Sequence, residues 1–567
     1  MRYNEMMVKR IVLFLALLLI GLVSSRALLS GSVFFTHDFV HVARIAEMRR
    51  GLEAGDFPVQ WSQNFGYGYG MPLFLFYGPF PYYVGAVIYL CLGNAVWAYL
   101  ALFLIANVVT IWGAYKLGKE LSGILGGTLL AALLTLAPYR AVNLFVRGAV
   151  SELWGMMFLP WLVWGWLLLA KKNKWGWLTI SLATAGILLS HNLSALMLLP
   201  TALVLSVAVY FWIGSKKHEQ SLHSFWRWLV QGLLAQLLGI AISAFYFIPA
   251  FLEKSETKLS DLILTGYFDY HNHFLYLRQF LQDRWAYGGS EWGPNDGISF
   301  FLGYGTLLAT VLFAVYAYRE FRRNKLSRRL LVSSGCLLFA LFLMLLTTQK
   351  TLWFWDHVPL LNYLQFPWRL LSSIGFVLAL AGTVATTSLG QKSKYLVLAI
   401  FLVTAISSWR YFQPESYLDD ASALFYTDAD RIQAEMSGIL PDYIPRDVSD
   451  SLTPPGALVL STSKVDTEIL KNDPSEKLLM TESNKPTSVS LAMADFPGWK
   501  AYLDGMEVAH QTSGDGLIDV ALPEGKHFLS LKFAATPLRR LANGISFLAV
   551  CILVGTLYNS TKKSDEK

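Results

Sequence analysis

Apolar residues in this chain come in long unbroken runs, not at the short period of amphipathic helices. Runs long enough to cross a bilayer lie near 11–29, 95–115, 123–138, 153–170, 175–190, 193–213, 228–250, 298–318, 330–346, 370–389, 395–409 and 538–558. A helix needs roughly 17–25 such residues to span the hydrocarbon core. The basic residues fall between the runs: Lys116 and Lys119; Lys171, Lys172 and Lys174; Lys216, Lys217 and Arg227; Arg319 through Arg329; Lys392 and Lys394; Lys562 and Lys563. If the spans alternate, all of these lie on one side together with Arg2, Lys9 and Arg10, and the positive-inside rule makes that side cytoplasmic. The pattern therefore predicts a polytopic α-helical membrane protein of about twelve transmembrane helices with both termini cytoplasmic. A cleavable signal peptide is the other reading of the first run, with Arg2, Lys9 and Arg10 as its basic region and Ser24-Ser25 near the cut. The length of the run, and the polar cluster that follows it, favour a retained span.

Three segments then fall outside: 30–94, 251–297 and 410–537. The first is aromatic and rich in Gly and Pro, and its tail at 81–92 reads as an interfacial or re-entrant helix. The third departs sharply in composition. Alternation at Val489 to Ala494, at Leu517 to Leu522 and at Leu529, Leu531 and Phe533, with turns at Asp504-Gly505, Asp515-Gly516 and Glu524-Gly525, predicts an extracytoplasmic β-sandwich. Residues 451–487, rich in Ser, Thr, Pro and Lys, read as loop. The chain thus divides into a membrane domain (1–409), an outer domain (410–537) and a final helix with its tail (538–567).

With 54% hydrophobic and 15% charged residues, a soluble core is excluded. The net charge of +7 resides in the inter-span loops, so it signals orientation and not nucleic acid. Cys91, Cys336 and Cys551 sit in or beside apolar segments and offer neither a disulfide framework nor a metal site.

The residues with chemistry gather at one face. Asp38 follows the first span, beside His37, His41 and Arg44; Glu152 opens the fourth. Ionisable groups at a bilayer boundary are costly, which makes them functional candidates. Two carboxylates there suit a general base or a divalent cation (Mg or Mn); the alternative is ion pairing with Arg44 and Arg147. Arg147, His191, Arg369 and Lys350 are candidates for phosphate, with interfacial anchoring as the alternative. Asp269, His271 and His273 suggest a substrate-lining loop, and no third zinc ligand appears at a suitable spacing. Trp499 and Tyr502 are either a sugar-stacking platform or part of the sandwich core.

Several of these motifs also carry a resemblance. The run from Tyr69 to Tyr83, Val146-Arg147-Gly148-Ala149 to Glu152, Ser190-His191-Asn192 and Gln365-Phe366-Pro367-Trp368-Arg369 resemble the bacterial membrane proteins labelled "6-pyruvoyl-tetrahydropterin synthase-related". Phe496-Pro497-Gly498-Trp499-Lys500 to Asp504-Gly505 resembles the C-terminal β domain of those proteins and of YfhO-like membrane proteins. The His-rich zinc site of soluble pterin synthases is not visible in this sequence. The resemblance extends to the GT-C superfamily of glycosyltransferases. It implies a multi-pass protein of the bacterial cytoplasmic membrane, a polyprenyl-phosphate sugar donor, and a glycan, lipid or protein acceptor. It implies that Asp38 holds the position of the catalytic acid in the first outer loop, with Glu152 as the second acid. No DxD pair surrounds Asp38, whose neighbours are His37 and Phe39. The rival class is a non-enzymatic transporter or assembly factor for lipid-linked glycans, which would need no base; charges buried mid-span would favour it.

Overall fold

The computed structural model describes residues 2–214, 222–262, 264–293, 295–323, 328–418, 426–438, 441–450, 452–460 and 465–565. Lys216, Lys217 and Lys325 of the basic loops lie outside them. The apolar runs form helices. Eight helices among the described residues are long and apolar enough to cross a membrane, and Phe80–Leu92, Trp175–Ser190 and Ser393–Ser408 are shorter apolar helices. Ala95–Thr135 holds two of the expected runs and breaks at Ser122 and Gly123, where the backbone leaves helical geometry. The chain turns back on itself there, because a Cβ on Gly127 would lie 2.7 Å from the Tyr115 carbonyl oxygen. Glycine is thus the condition for the two legs to touch.

Ion pairs and ring contacts identify the two ends of the bundle. Lys171 pairs with Glu120 at 2.5 Å, which joins the turn after the first leg to the loop at 171–174. Arg329 lies over the Trp212 ring, and Trp212 packs on Tyr316. These residues come from the loops whose lysines and arginines share a side in the sequence pattern. At the opposite end, Phe35 and Leu418 exchange backbone hydrogen bonds with Ser416 and Val33, so residues 33–35 dock on the chain leaving Ser393–Ser408. The segment at 80–92 is a helix, packed against His41–Glu53.

Among the described residues the C-terminal β domain has eight strands: β1 (Asp466–Asn472), β2 (Glu476–Ser483), β3 (Thr487–Ala494), β4 (Trp499–Leu503), β5 (Met506–Val508), β6 (His510–Thr512), β7 (Leu517–Leu522) and β8 (Gly525–Phe533). They form two antiparallel sheets, ordered β1-β2-β8-β4-β5 and β3-β7-β6. Val489, Leu491, Val520, Leu522, Leu529 and Leu531 are buried, as the alternation predicts. Two strands correct the reading of 451–487 as loop. β1 is an exposed edge, and its polar composition is that of a solvated strand. β2 alternates, but its inward positions include Lys477, Thr481 and Ser483, which hide the apolar period.

Trp499 is buried and packs edge-on against Trp61 of the loop after His41–Glu53, with ring centroids 5.3 Å apart. It is core, so the sugar-platform reading is withdrawn. Phe496 and Phe533 flank the buried guanidinium of Arg539, which Glu253 holds at 2.9 Å, and this joins the β domain to the final helix and to the end of Ala244–Leu252. Trp499→Ala in the full chain should cost about 3–5 kcal/mol. A clear drop in the thermal unfolding temperature checks this; unchanged melting would contradict the core assignment.

Candidate functional site

Asp38 is positioned by backbone pairing. The amides of His37 and Asp38 donate to the carbonyls of Val146 and Arg147, at 3.0 and 2.8 Å. Gly148 makes the approach feasible: its φ is +69°, and a Cβ there would run into Thr36. Two segments distant in sequence are thus fastened so that a carboxylate and a guanidinium enter one cavity.

The Arg147 guanidinium is delivered by a local irregularity. Residues Val142–Val146 form a π-turn before the helix Val150–Ala170, a distortion frequent at functional sites. It brings Asn143, Arg147 and Glu152 together. Glu152 is only 1% exposed and sits in the first turn of its helix, where the macrodipole favours negative charge. Its Oε1 accepts from the Tyr139 hydroxyl at 2.6 Å and from Asn143 Nδ2 at 3.3 Å. Its Oε2 accepts from Arg147 at 2.8 Å and lies 3.5 Å from Arg369 Nε. Burial opposes the Arg147 charge, but Glu152, Tyr139 and Asp38 outweigh it and hold the guanidinium protonated above its ordinary range.

Arg369 is delivered by a strained turn. Gln365 has φ +60°, an uncommon conformation for a residue with a side chain that costs on the order of 1–3 kcal/mol and clusters at functional sites. The strained residue accepts from Arg369 through its own side-chain oxygen at 3.1 Å, and the Leu364 carbonyl accepts at 2.8 Å. Arg147 lies 4.8 Å over the Trp368 ring.

His37, Asp38, Arg147, Arg369, Trp368 and Ser290 line one cavity of about 250 Å³, with Tyr267, Phe268, Ile298 and Phe366 completing it. Ligand sites commonly measure ~300–1,000 Å³, so this one suits a single small polar head. Asp38 is half-buried, and among the described residues its carboxylate has no hydrogen bond or ion pair. Each arginine uses one terminal nitrogen on protein acceptors, and the other makes no protein hydrogen bond among those described. The cavity therefore presents a free carboxylate opposite two half-engaged guanidinium groups. Residues from 264–293 roof it: Tyr267, Phe268 and Ser290 line the cavity, His37 Nε2 donates to the Tyr287 carbonyl at 3.0 Å, and the Tyr287 hydroxyl donates to the Gln413 carbonyl.

Not every sequence candidate is there. Glu152 is not among the residues lining the cavity, and its oxygens serve Tyr139, Asn143 and Arg147, which is the ion-pair alternative. His191 lies beyond Glu152, held by Ser194 at 2.8 Å; burial and Arg369 keep it neutral, down to about 3. His41 and Arg44 are placed away from Asp38. His41 Nδ1 contacts the Tyr82 hydroxyl at 2.7 Å, and Arg44 stacks on Tyr77, so the expected pair of Arg44 with Asp38 does not form. Asp269 and His271 pair with each other at 2.6 Å on the exposed rim, beside Asp356, and do not line the cavity. Lys350 lies in a separate groove. The sequence assigned no role to Tyr139, Asn143, Ser290 or Trp368; the motif from Val146 to Glu152 was visible, but the π-turn before it was not.

A divalent cation does not fit this donor set. Asp38 is the sole carboxylate among the lining residues and two guanidinium groups share its cavity. Among the described residues no three His, Cys, Asp or Glu side chains form a metal-binding group.

A family model described as "6-pyruvoyl-tetrahydropterin synthase related domain; membrane protein" matches residues 74–414, and the chain belongs to that family of membrane proteins. A comparison with curated proteins returns no match. Among solved structures, the chain resembles the oligosaccharyltransferase of Archaeoglobus fulgidus, in complex with Zn and sulfate, at 14% identity and a TM-score of 0.42, over 73% of this chain and 55% of that one. It resembles the arabinofuranosyltransferase AftD from Mycobacteria at 15% identity and a TM-score of 0.42, over 72% of this chain and 27% of that one. It resembles ArnT from Cupriavidus metallidurans, bound to undecaprenyl phosphate, at 12% identity and a TM-score of 0.38, over 75% and 77%. The chain thus spans about half the length of the oligosaccharyltransferase, and less of the arabinofuranosyltransferase.

The pairing of Glu152 with Arg147 yields a stability prediction. Glu152→Gln keeps the shape but leaves a buried guanidinium uncompensated, which should cost about 3–5 kcal/mol. Thermal unfolding of the purified variant checks it; melting equal to the parent would mean that solvent in the cavity, not Glu152, supports Arg147.

Proposed function

We propose that this protein is a GT-C-type glycosyltransferase that moves a sugar from a polyprenyl-phosphate donor to an acceptor hydroxyl at the outer face of the bacterial cytoplasmic membrane. The observation that carries the reading is the unpaired Asp38 carboxylate in one cavity with the spare donors of Arg147 and Arg369. A base without an internal partner is available to an incoming hydroxyl. Guanidinium groups suit phosphate oxygens, which they grip through planar paired donors.

The step balances without a cofactor. Asp38 takes the proton of the acceptor hydroxyl as its oxygen forms a bond to the anomeric carbon. The bond from that carbon to the phosphate oxygen breaks, with inversion, and the electron pair leaves on the polyprenyl phosphate. Arg147 and Arg369 hold that phosphate and offset the charge it gains, which is the electrostatic stabilisation most useful in a water-poor site. Glu152 is a positioning residue: it fixes both guanidinium groups while its own oxygens stay occupied. The roof from 264–293 limits water, which would otherwise compete with the acceptor.

Orientation follows from the basic end of the bundle, which the positive-inside rule places in the cytoplasm together with both termini. Reporter fusions after Lys172 and Arg323 should report cytoplasm, and one at Ser290 the outside. If Ser290 and Arg323 report the same side, the outer-face assignment falls.

The chemical test separates base from phosphate holder. Asp38→Asn should keep binding of undecaprenyl phosphate yet lower transfer by about 10²-fold or more. Arg369→Lys should keep the fold and weaken undecaprenyl phosphate binding, because a point charge replaces the planar fork. Normal transfer by Asp38→Asn would remove the general-base role, and unchanged lipid phosphate affinity in Arg369→Lys would reduce Arg369 to an anchor.

A further inference from the structure

A second concavity, of about 400 Å³, lies beside the roof of the Asp38 cavity and takes no part in the chemistry above. Its floor is apolar, from Phe274 and Leu275, and its rim carries two aromatic rings and two cations: Tyr276, Trp292, Arg278 and Lys350. Both rings are open to solvent, Tyr276 at 45% and Trp292 at 60% exposure. Neither Arg278 nor Lys350 has a carboxylate partner among the described residues. Arg278 lies 5.8 Å over one face of the Tyr276 ring. The ring faces left open over the apolar floor match the C–H faces of sugars, and cations without a carboxylate partner match acidic substituents.

The groove is built rigidly onto the Asp38 cavity. Tyr276 N donates to Gln279 Oε1 at 2.7 Å, and Gln279 Nε2 donates to Asp296 at 2.7 Å. The buried Asp296 also accepts from the Glu291 amide at 2.9 Å and the Ser290 hydroxyl at 3.2 Å. Ser290 in turn accepts from Trp368 Nε1 at 3.0 Å, and both Ser290 and Trp368 line the Asp38 cavity. One satisfied network therefore sets the distance between groove and cavity. Ser290 faces one and Trp292, two residues on, faces the other.

Resting on the glycosyltransferase reading, we propose that this groove is the acceptor subsite and that it takes an acidic glycan, a saccharide chain bearing carboxylate or phosphate groups. The rings hold sugar faces, Arg278 and Lys350 hold the acidic groups, and the end of the chain reaches the Asp38 cavity across the shared wall. A bilayer headgroup offers negative charge but no stacking faces, and it does not account for the network that ties the groove to the cavity.

The test uses the full chain in phosphatidylcholine nanodiscs and reads binding, not transfer. A fluorescent hexagalacturonate is the acidic probe and maltohexaose of equal length the neutral one. The acidic probe should bind more tightly than the neutral one. Arg278→Ala with Lys350→Ala should weaken the acidic probe about tenfold, the scale of two exposed charge contacts, with melting unchanged. Trp292→Ala should weaken both probes. No binding of either probe, equal affinity for the two, or parental affinity in the double variant would each overturn the proposal. So would a double variant that loses affinity only for phosphatidylglycerol vesicles, which would assign the cations to lipid headgroups. Asp38→Asn should bind both probes normally. Full transfer by that variant would sink the catalytic reading alone, whereas lost discrimination between the probes would sink the subsite alone.

Discussion

The buried carboxylate of Glu152 is the constraint on which the Asp38 end of this molecule depends. Two guanidinium groups cannot be kept close together in a water-poor pocket without an anion between them. Glu152 supplies it, and Tyr139 and Asn143 occupy the rest of its hydrogen-bonding capacity. With that charge satisfied, Arg147 and Arg369 each turn a spare edge toward the cavity. The π-turn at Val142–Val146, the left-handed Gly148 and the strained Gln365 all serve the same geometry. Each of these irregularities adjoins a residue that serves the site.

The rest of the fold holds this end in place. Residues 33–35 dock on 416–418, Tyr287 bridges His37 to Gln413, and the β domain clamps the loop after His41–Glu53 through Trp61 and Trp499. Arg539 ties the last helix into the same aromatic cluster.

Much of the fold was legible because lipid and water impose different composition. Apolar runs marked the helices, basic loops marked one end, and alternation marked β3, β7 and β8. β1 and β2 were missed because an edge strand and a strand with polar inward positions lack that alternation. In the site, the sequence singled out Asp38, Arg147 and Arg369, since ionisable groups at a span boundary demand an explanation. It could not say which side chains meet. His41 and Arg44 stand within six residues of Asp38, yet helical geometry from His41 onward turns them toward Tyr82 and Tyr77. Asn143 and Ser290 carry no charge and no motif, so only the folded chain reveals them.

The central claim is that Asp38 is the base and the two arginines serve the lipid phosphate. The most direct measurement is mass spectrometry of lipid extracts from a strain lacking this gene, complemented with the parent or with Asp38→Asn at equal protein level. The account predicts that a polyprenyl-phosphate sugar accumulates in the deletion strain, is cleared by the parent and persists with Asp38→Asn. Clearance by Asp38→Asn as complete as by the parent, or no lipid-linked sugar accumulating at all, would contradict it.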